Sequence, residues 1–202
     1  ERVQQAIEEI GIGFMFAPKF HPSMKYAAGP RKELGQRTIF NLLGPLTNPA
    51  GADVQLIGVY SPELTEPLAN VLKDLGSTAA MVIYGAGGTD ELTPAGPNRV
   101  SHLMGGTVRT YDLDPQELGF ERATIDDLHG GSPEEAAAMM RDLLRGRTGG
   151  ACRDAVLLNA AGTLAAETSD FKSALDEVTA SLNDGLAFAK MNDLVKFSRA
   201  VA

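Results

Sequence analysis

The most regular hydrophobic pattern in the chain predicts a strand, a helix and a second strand in succession. The segment 54–60 (VQLIGVY) is apolar enough for a buried parallel strand, and 79–84 (AAMVIY) predicts the next strand. Between them, Ser61-Pro62-Glu63 offers a helix N-cap with proline at the first helical position. The helix that follows has one apolar stripe, made by Leu64, Leu68, Val71, Leu72 and Leu75. This order predicts a βαβ unit, and open α/β sheets bind ligands in the loop that follows such a strand.

Farther along the chain, the pattern predicts a hairpin and then helices. Residues 99–103 and 107–113 flank Met104-Gly105-Gly106, which is typical of an antiparallel hairpin. Ser132-Pro133-Glu134-Glu135 has the S-x-x-E pattern of a capping box at the start of a helix that runs to about Arg145. Further helices are predicted over 153–166, along the apolar stripe from Phe171 to Leu186, and over 188–200. Together with the βαβ unit, these elements predict an α/β fold.

The first fifty residues contain shorter and more interrupted patterns. Val3, Ile7 and Ile10 fall on one face of a helix over 1–10, which Gly11 ends. The apolar run 12–16 predicts a short buried strand. Two short helices are predicted next, from Ser23 to about Ala28 and from Pro30 through Arg31 to Gly35.

The segment 31–49 (RKELGQRTIFNLLGPLTNP) combines an apolar run with many backbone breaks. Its centre, Thr38-Ile39-Phe40, has the β-branched and aromatic composition of an extended or buried segment. Gly44-Pro45 and Asn48-Pro49 then indicate two turns. Because ordinary loops are more polar, this segment predicts a buried linker between two bodies, with a ligand pocket beside it.

Composition and charge narrow the classes of function. The 202 residues are 44% apolar and 22% charged, as in ordinary globular proteins. The net charge of −8 argues against a broad nucleic-acid surface, although a local basic spot can still bind a small anion. The single Cys152 excludes an internal disulfide, and the three histidines lack the spacing of a zinc site. The sequence contains no run of about 18 apolar residues, so it predicts no membrane span. We expect a cytoplasmic protein.

Asp90 and Glu91 are the strongest candidates for chemistry on the residues alone. They follow glycines in the loop GAGGTDELT, at the carboxyl end of the second predicted strand. Adjacent carboxylates there can offer oxygen ligands to Mg²⁺, which prefers a few carboxylates combined with waters and substrate phosphates. The alternative interpretation is a solvated turn. The glycines are not a P-loop, since no lysine follows them.

Arg31, His21 and Pro45 are weaker candidates when they are considered one at a time. An arginine fork binds a carboxylate in a bidentate way, but Arg31 is one of eleven arginines and, taken alone, is better explained as a surface helix residue. His21 lies in a proline-rich turn, where a lone histidine is more often structural. Pro45 is equally well explained as a turn former. No Ser/His/Asp or Cys/His catalytic motif is present, and we predict no catalytic general base.

Four long motifs, in the same order, resemble one family of enzymes. The segment 31–49 resembles the central signature RxELGxRTxFNLLGPLTNP of anthranilate phosphoribosyltransferase. Upstream, 16–25 (FAPKFHPSMK) is similar to the FAPxxHPxMK segment of that family. Downstream, 88–93 (GTDELT) resembles its DELT loop, and 149–161 resembles its GPARDAVLLNAA helix. The resemblance covers essentially the whole chain.

The resemblance implies an enzyme of tryptophan biosynthesis that transfers phosphoribosyl from phosphoribosyl pyrophosphate to the amine of anthranilate. By this resemblance, Asp90 and Glu91 hold Mg²⁺ against the pyrophosphate, and Arg31 binds the anthranilate carboxylate. His21, Met24 and Pro45 would line the anthranilate site. A pyrimidine nucleoside phosphorylase, which shares the architecture, is the alternative enzyme. Outside the enzymes, the alternative is a non-catalytic fragment or relative that binds nucleotide or nucleic acid.

The same resemblance implies an incomplete domain. The fold would be of the nucleoside-phosphorylase and phosphoribosyltransferase type (class III-like), with a mixed, mostly parallel sheet flanked by helices. Residues 1–202 would be its C-terminal α/β domain, and residues from about 19 to 45 would form the hinge and return helices toward a helical domain. The family's GTGGD-type phosphate loop and KHGNR-type segment are absent from this sequence. We therefore expect this chain to be inactive alone. The resemblance also implies that the intact family protein is a homodimer.

Overall fold

The computed structural model describes residues 1–22, 26, 29, 33, 35 and 40–200, with the side chains of Phe40 and Asn41 left aside. The chain divides into two compact units. One consists of Glu1–Ala52 together with the C-terminal residues from Ala189 onward, and the other is Asp53–Phe188. Each unit is considered separately below. None of the described helices is long and apolar enough to cross a membrane.

A four-stranded sheet forms the centre of the unit Asp53–Phe188. Its strands follow one another in space as in sequence: β1 (Val54–Gly58), β2 (Ala79–Tyr84), β3 (Asn98–Met104) and β4 (Thr107–Leu113). The first pairing is parallel, and the other two are antiparallel. The predicted mixed α/β sheet is confirmed. The expected majority of parallel pairings is wrong for the described strands, because neither later connection contains a helix that returns the chain across the sheet.

The βαβ unit is confirmed on one face of this sheet. A 3₁₀ turn (Pro62–Leu64) leads into α4 (Thr65–Asp74), which joins β1 to β2 and contacts β2, β3 and β4. The buried stripe is narrower than predicted. Leu68 and Leu72 are buried, whereas Val71 and Leu75 are 39% and 62% exposed.

On the other face, the long helix α6 (Ala151–Thr168) packs on the first three strands, and α7 (Phe171–Asn183) packs on α6. Small side chains such as Ala161 and Ala165 are fully buried against β2 residues Met81 and Ile83 in one apolar cluster. Alanines let the helix approach the sheet closely, which explains why this Ala-rich segment is the central helix. The prediction of a buried helix here is confirmed.

The remaining elements of this unit are short turns and one capped helix. The predicted capping box is present at the start of α5 (Pro133–Leu144): Ser132 Oγ accepts from the Glu135 amide at 3.2 Å, and Glu135 Oε2 accepts from the Ser132 amide at 2.7 Å. These hydrogen bonds to the backbone and side chain of Ser132 lower the pKa of Glu135. Two 3₁₀ turns, Pro115–Leu118 and Asp126–Leu128, complete the connections between β4 and α5.

The unit that contains the N-terminus is helical in its described part. It holds α1 (Arg2–Ile10), α2 (Ala17–Phe20), α3 (Phe40–Leu46) and most of α8 (Leu186–Arg199). The two ends of the chain meet here. Arg2 Nη2 donates to the Phe197 carbonyl at 3.2 Å, and Lys190 Nζ donates to the Ile10 carbonyl at 2.6 Å. The predicted first helix and its stop are confirmed, and Gly11 ends the helix in a left-handed conformation with φ 77°.

Three predictions for this unit are wrong. Residues 12–16 form no strand, and Phe14 and Phe16 are 71% and 52% exposed, since no described strand pairs with them. Pro45 lies inside α3 and not in a turn. Proline there cannot donate to the carbonyl four residues earlier, and the helix ends at the next residue. The segment 42–50 is half-buried or exposed and not a buried linker, although the turn at Asn48-Pro49 is confirmed by the Gly51 amide, which donates to the Asn48 carbonyl at 3.0 Å.

Candidate active site

A wide cleft of the unit Asp53–Phe188 opens at the carboxyl ends of β1 and β2, as the βαβ pattern predicts. It has a volume of about 740 Å³. Asp90 and Glu91 both line it. The other lining residues come from β1, β2, the acidic loop, residues 125–129 and the first half of α6: Leu56, Gly58, Ile83, Thr89, Thr93, Ile125, Leu128, His129, Cys152, Ala155, Val156 and Asn159.

The acidic loop, residues 85–97, lies against two glycines that leave no room for a side chain. A Cβ atom on Gly58, the last residue of β1, would lie 1.7 Å from the Asp90 carbonyl oxygen. On Gly85, directly after β2, it would lie 1.9 Å from the Glu91 carbonyl oxygen. The backbone of the two acidic residues therefore rests directly on the ends of the two parallel strands, a close approach that only glycine permits.

The start of the acidic loop closes as a tight turn. The Gly85 amide donates to the Thr89 carbonyl at 2.8 Å, and Thr89 Oγ1 donates to the Glu91 carbonyl at 2.9 Å. Gly87 and Gly88 occupy the left-handed region, with φ 81° and 86°, which explains the glycines before the acidic pair. The turn directs the chain back toward the sheet just before Asp90.

Two asparagines hold the rest of the acidic loop. Asn98 is fully buried, and its Oδ1 accepts from the amides of Ala86 and Thr93 at 3.1 and 3.0 Å. On α6, Asn159 forms a two-way clamp with Leu92. Its Oδ1 accepts from the Leu92 amide at 2.9 Å, and its Nδ2 donates to the Leu92 carbonyl at 2.8 Å. Leu92 is itself fully buried. The residue that follows the acidic pair is thus fixed both by its side chain and by its backbone.

Asp90 and Glu91 are exposed toward the cleft, and neither forms an ion pair with a described basic side chain. Asp90 and Glu91 are both exposed, while their neighbours Leu92 and Thr93 are buried. Neither lysine nor arginine is among the described lining residues of the cleft. A site of this charge attracts a cation and repels a bare phosphate. A rigid backbone beneath two exposed carboxylates suits Mg²⁺, which takes one or two carboxylates and completes its shell with water and substrate phosphates.

No described group of three or more His, Cys, Asp and Glu side chains forms a complete metal cage.

Residues 124–129 and the start of α6 form another wall of the cleft. The Asp127 carboxylate accepts from the hydroxyl of Thr124 at 2.7 Å and from its amide at 2.8 Å, and these hydrogen bonds lower the pKa of Asp127. Cys152, in the first turn of α6, donates its S–H to the Asp127 carbonyl at 3.4 Å. The short 124–129 segment is thereby tied to the helix that also carries Asn159.

The predicted substrate-binding residues lie in the other unit or outside the described residues. His21 follows α2, and its amide donates to the Ala17 carbonyl at 2.9 Å. Pro45 is half-buried inside α3. Arg31 and Met24 lie outside the described residues. The structure therefore brings together the two predicted metal residues, and the roles of Arg31, His21, Met24 and Pro45 stay predictions.

Sequence reasoning missed the residues that position the acidic pair. Asn98 and Asn159 were not among the predicted site residues. One signal was present for Asn159, because it is the polar residue in the apolar run Val156-Leu157-Leu158-Asn159-Ala160-Ala161. A buried amide in such a helix needs hydrogen-bond partners. Its partners at residue 92 are not visible in the sequence.

The fold and the cleft define an α/β domain that presents two carboxylates at the carboxyl ends of parallel strands. Comparison with known proteins gives the particular family. The chain belongs to the glycosyl transferase family, a/b domain, whose model matches residues 1–188.

The similar proteins are anthranilate phosphoribosyltransferases. The one from Moorella thermoacetica is 49% identical over 197 residues, which cover 96% of this chain and 58% of the relative. The crystal structure of the enzyme from Thermus thermophilus has a TM-score of 0.91 at 46% identity, over 98% of this chain and 59% of that chain. The Saccharomyces cerevisiae enzyme in complex with PRPP and Mg has a TM-score of 0.79 at 25% identity, over 90% of this chain and 53% of that chain. The chain thus spans about three-fifths of the length of the relatives that it matches.

Proposed function

We propose that this chain is part of an anthranilate phosphoribosyltransferase, the part that binds the metal and the leaving pyrophosphate. One observation carries the proposal: Asp90 and Glu91 are exposed in a cleft without lysine or arginine among its described lining residues, on a backbone fixed by Gly58, Gly85 and Asn159. Such a site accepts a diphosphate only together with a cation. A relative in complex with PRPP and Mg supports this assignment.

Asp90 and Glu91 would hold Mg²⁺ in this proposal. When bound, the ion offsets the negative charge that grows on the departing pyrophosphate. The protein's own contribution is positioning: the clamped loop holds both carboxylates in place before the substrate arrives, so that little reorganisation is needed during the reaction.

The roles of the other predicted residues belong to the same proposal. Arg31 binds the anthranilate carboxylate in a bidentate way, and His21, Met24 and Pro45 line the anthranilate site. Residues from about 19 to 45 act as the hinge and return helices toward a helical domain, through which the whole protein forms a homodimer. The family resemblance and the names of the relatives support these assignments.

We also propose that the 202-residue chain is inactive alone, because its sequence contains neither a GTGGD-type nor a KHGNR-type phosphate segment. The test compares this chain with a fusion that adds the preceding two-fifths of the Moorella relative at its N-terminus. Loss of anthranilate fluorescence in the presence of PRPP and Mg²⁺ measures turnover. We expect turnover by the fusion and none by the chain.

In the fusion, D90N and E91Q should each lower the rate roughly 100-fold or more, since they remove one charge from the metal site. The matched control is D53N, which removes the same charge from an exposed residue just before the amino end of β1. A folded fusion that leaves anthranilate unchanged contradicts the proposed function. Turnover by the isolated chain contradicts only the proposal that it is inactive alone.

A further inference from the structure

A second cavity lies on one face of the β3–β4 hairpin. Residues that pair directly across antiparallel strands point to the same face, and the face alternates along each strand. The pairs Met104–Thr107, His102–Arg109 and Val100–Tyr111 therefore share one face. This face meets the junction of α6 and α7, because the Nε2–H of His102 donates to the Ala166 carbonyl at 2.7 Å.

The opposite face of the same hairpin contacts α4 and borders a separate pocket, which Glu63 and Glu66 line together with Arg99. Ser101 Oγ donates to Thr65 Oγ1 on α4 at 2.9 Å, and Arg99 Nε lies 2.7 Å from Asp112 Oδ1 in an ion pair. The two faces therefore differ in chemistry. One arginine of the hairpin is neutralised by its cross-strand neighbour, whereas the other, Arg109, faces the cavity.

The cavity of about 460 Å³ combines polar donors with apolar walls. Arg109 and Tyr111 supply the donors, and Met104, Leu113 and Phe171 supply apolar surface. No aspartate or glutamate is among its described lining residues, although the chain as a whole carries a net charge of −8. A cation that is left without an acidic neighbour in an acidic protein makes this pocket a local site of positive potential.

The donors of the pocket are free within the described part of the chain. Arg109 has no ion pair or hydrogen bond there, and the Tyr111 hydroxyl has no hydrogen-bond partner there. Burial raises the pKa of Tyr111, so its hydroxyl stays protonated and able to donate. His102 is 7% exposed, and its Nδ1 has no described partner while Nε2 is held by Ala166.

The turn between α6 and α7 forms one edge of the cavity. Ser169, which lines the cavity, ends α6 in the left-handed region at φ 61°, and its amide donates to the Ala165 carbonyl. Its Oγ donates to Met104 Sδ at 3.1 Å, which ties this turn to the hairpin.

We propose that this hairpin pocket binds a small carboxylate with an apolar body, with Arg109 on the carboxylate and Tyr111 donating to it. A single planar guanidinium beside one hydroxyl matches the two oxygens of a carboxylate better than the three oxygens of a phosphate, which needs more positive charge. The apolar walls formed by Met104, Leu113 and Phe171 accept the body of the ligand. None of the residues that line this pocket lines the cleft of Asp90 and Glu91.

The test uses 4-fluorobenzoate as the probe and ¹⁹F NMR of the probe as the readout, on the complete 202-residue chain. We expect saturable binding that R109A weakens at least about tenfold and Y111F weakens roughly threefold. R99A is the matched control, since it removes an arginine from the opposite face of the same hairpin, and it should bind like the unmodified chain. A benzoate can also enter the proposed anthranilate site, which contains Arg31, so R31A should leave the part of the binding that depends on Arg109 in place.

Each other outcome overturns the proposal. No saturable binding means that the pocket is only a surface groove. Loss of binding in R31A with no loss in R109A assigns the probe to the proposed substrate site, which would support the proposed function and sink this inference. Inorganic phosphate that displaces the probe at equal concentration would mean that the pocket recognises charge alone, without the carboxylate or the apolar body.

Discussion

The acidic loop 85–97 and the segment 40–51 share several residue types, but their hydrogen-bond partners lie at very different distances along the sequence. Both contain Gly, Pro and Thr, and each has an asparagine that organises it. In the acidic loop, the partners are distant: Asn159 reaches Leu92 across 67 residues of sequence. In the other segment, Thr47 Oγ1 donates to the Leu43 carbonyl at 2.9 Å, and Asn48 Oδ1 accepts from the Ala50 amide at 2.9 Å.

This difference in reach determines what each segment can do. A loop whose backbone is fixed from two strands and a helix can hold two exposed like charges close together without moving. A segment whose described hydrogen bonds stay within a few residues is held mainly by its own local structure. The two segments therefore differ in how far away their hydrogen-bond partners lie in the sequence, and not in composition.

Adding one methyl group to a glycine of each segment should give the largest contrast. In G58A, the new Cβ would overlap the Asp90 carbonyl oxygen, which is 1.7 Å away, so the acidic loop must leave the strand end. We expect a loss of roughly 3 kcal/mol or more in the free energy of unfolding, measured by urea denaturation. G44A is the matched control. Gly44 lies inside α3 with nothing beyond its chain neighbours within 4 Å of its Cβ position. The gain in helix propensity from alanine is opposed by the restriction that Pro45 places on the residue before it, so G44A should change the free energy of unfolding by less than about 1 kcal/mol. Equal effects at both sites would show that the strand ends tolerate a shift of the loop.

The asparagine pair should give the next largest contrast. N159A leaves the amide and carbonyl of buried Leu92 without their partner, which costs about 2–3 kcal/mol. N48A removes one hydrogen bond within an exposed turn and should cost under about 1 kcal/mol. Hydrogen exchange locates the effect, since N159A should increase exchange at the Leu92 amide more than at the amides of β2. Unchanged protection of Leu92 in N159A would mean that the side chain of Leu92 alone holds the loop.

Elements with a periodic pattern could be predicted from the sequence. The βαβ unit, the hairpin and the Ser132 capping box depend on neighbours within a few residues, and each is present. The position of Asp90 and Glu91 at the carboxyl end of β2 followed from strand order alone. The clamp at Asn159 could not be predicted, because its partner Leu92 is 67 residues away in sequence. The partners of Asn98 are only 5 and 12 residues away, but they lie in an irregular loop that no helix or strand period describes.

Local pattern also misled where the tertiary context was missing. The run 12–16 is as apolar as a strand, but a strand needs a partner, and none of the described strands pairs with it. The Gly44-Pro45 dipeptide is typical of a turn, yet it falls within the last turn of α3. A short apolar run and a Gly-Pro pair are each compatible with two local structures, and only long-range packing selects between them.

A pair of threonine variants should give the smallest difference in stability between the acidic loop and the segment 40–51. Thr93 is 2% exposed, and its Oγ1 donates to the Ala86 carbonyl at 3.2 Å, which joins the two halves of the acidic loop. T93V keeps the volume and removes this hydrogen bond, so it should cost about 1 kcal/mol. T47V removes the exposed hydrogen bond from Thr47 to Leu43 and should change stability by less than about 0.5 kcal/mol. Both changes can be measured from the midpoints of urea denaturation, with the same dependence of the unfolding free energy on urea concentration used for each variant. A larger cost for T47V than for T93V would contradict the comparison, because the self-bonded segment would then depend on its side chains more than the clamped loop does.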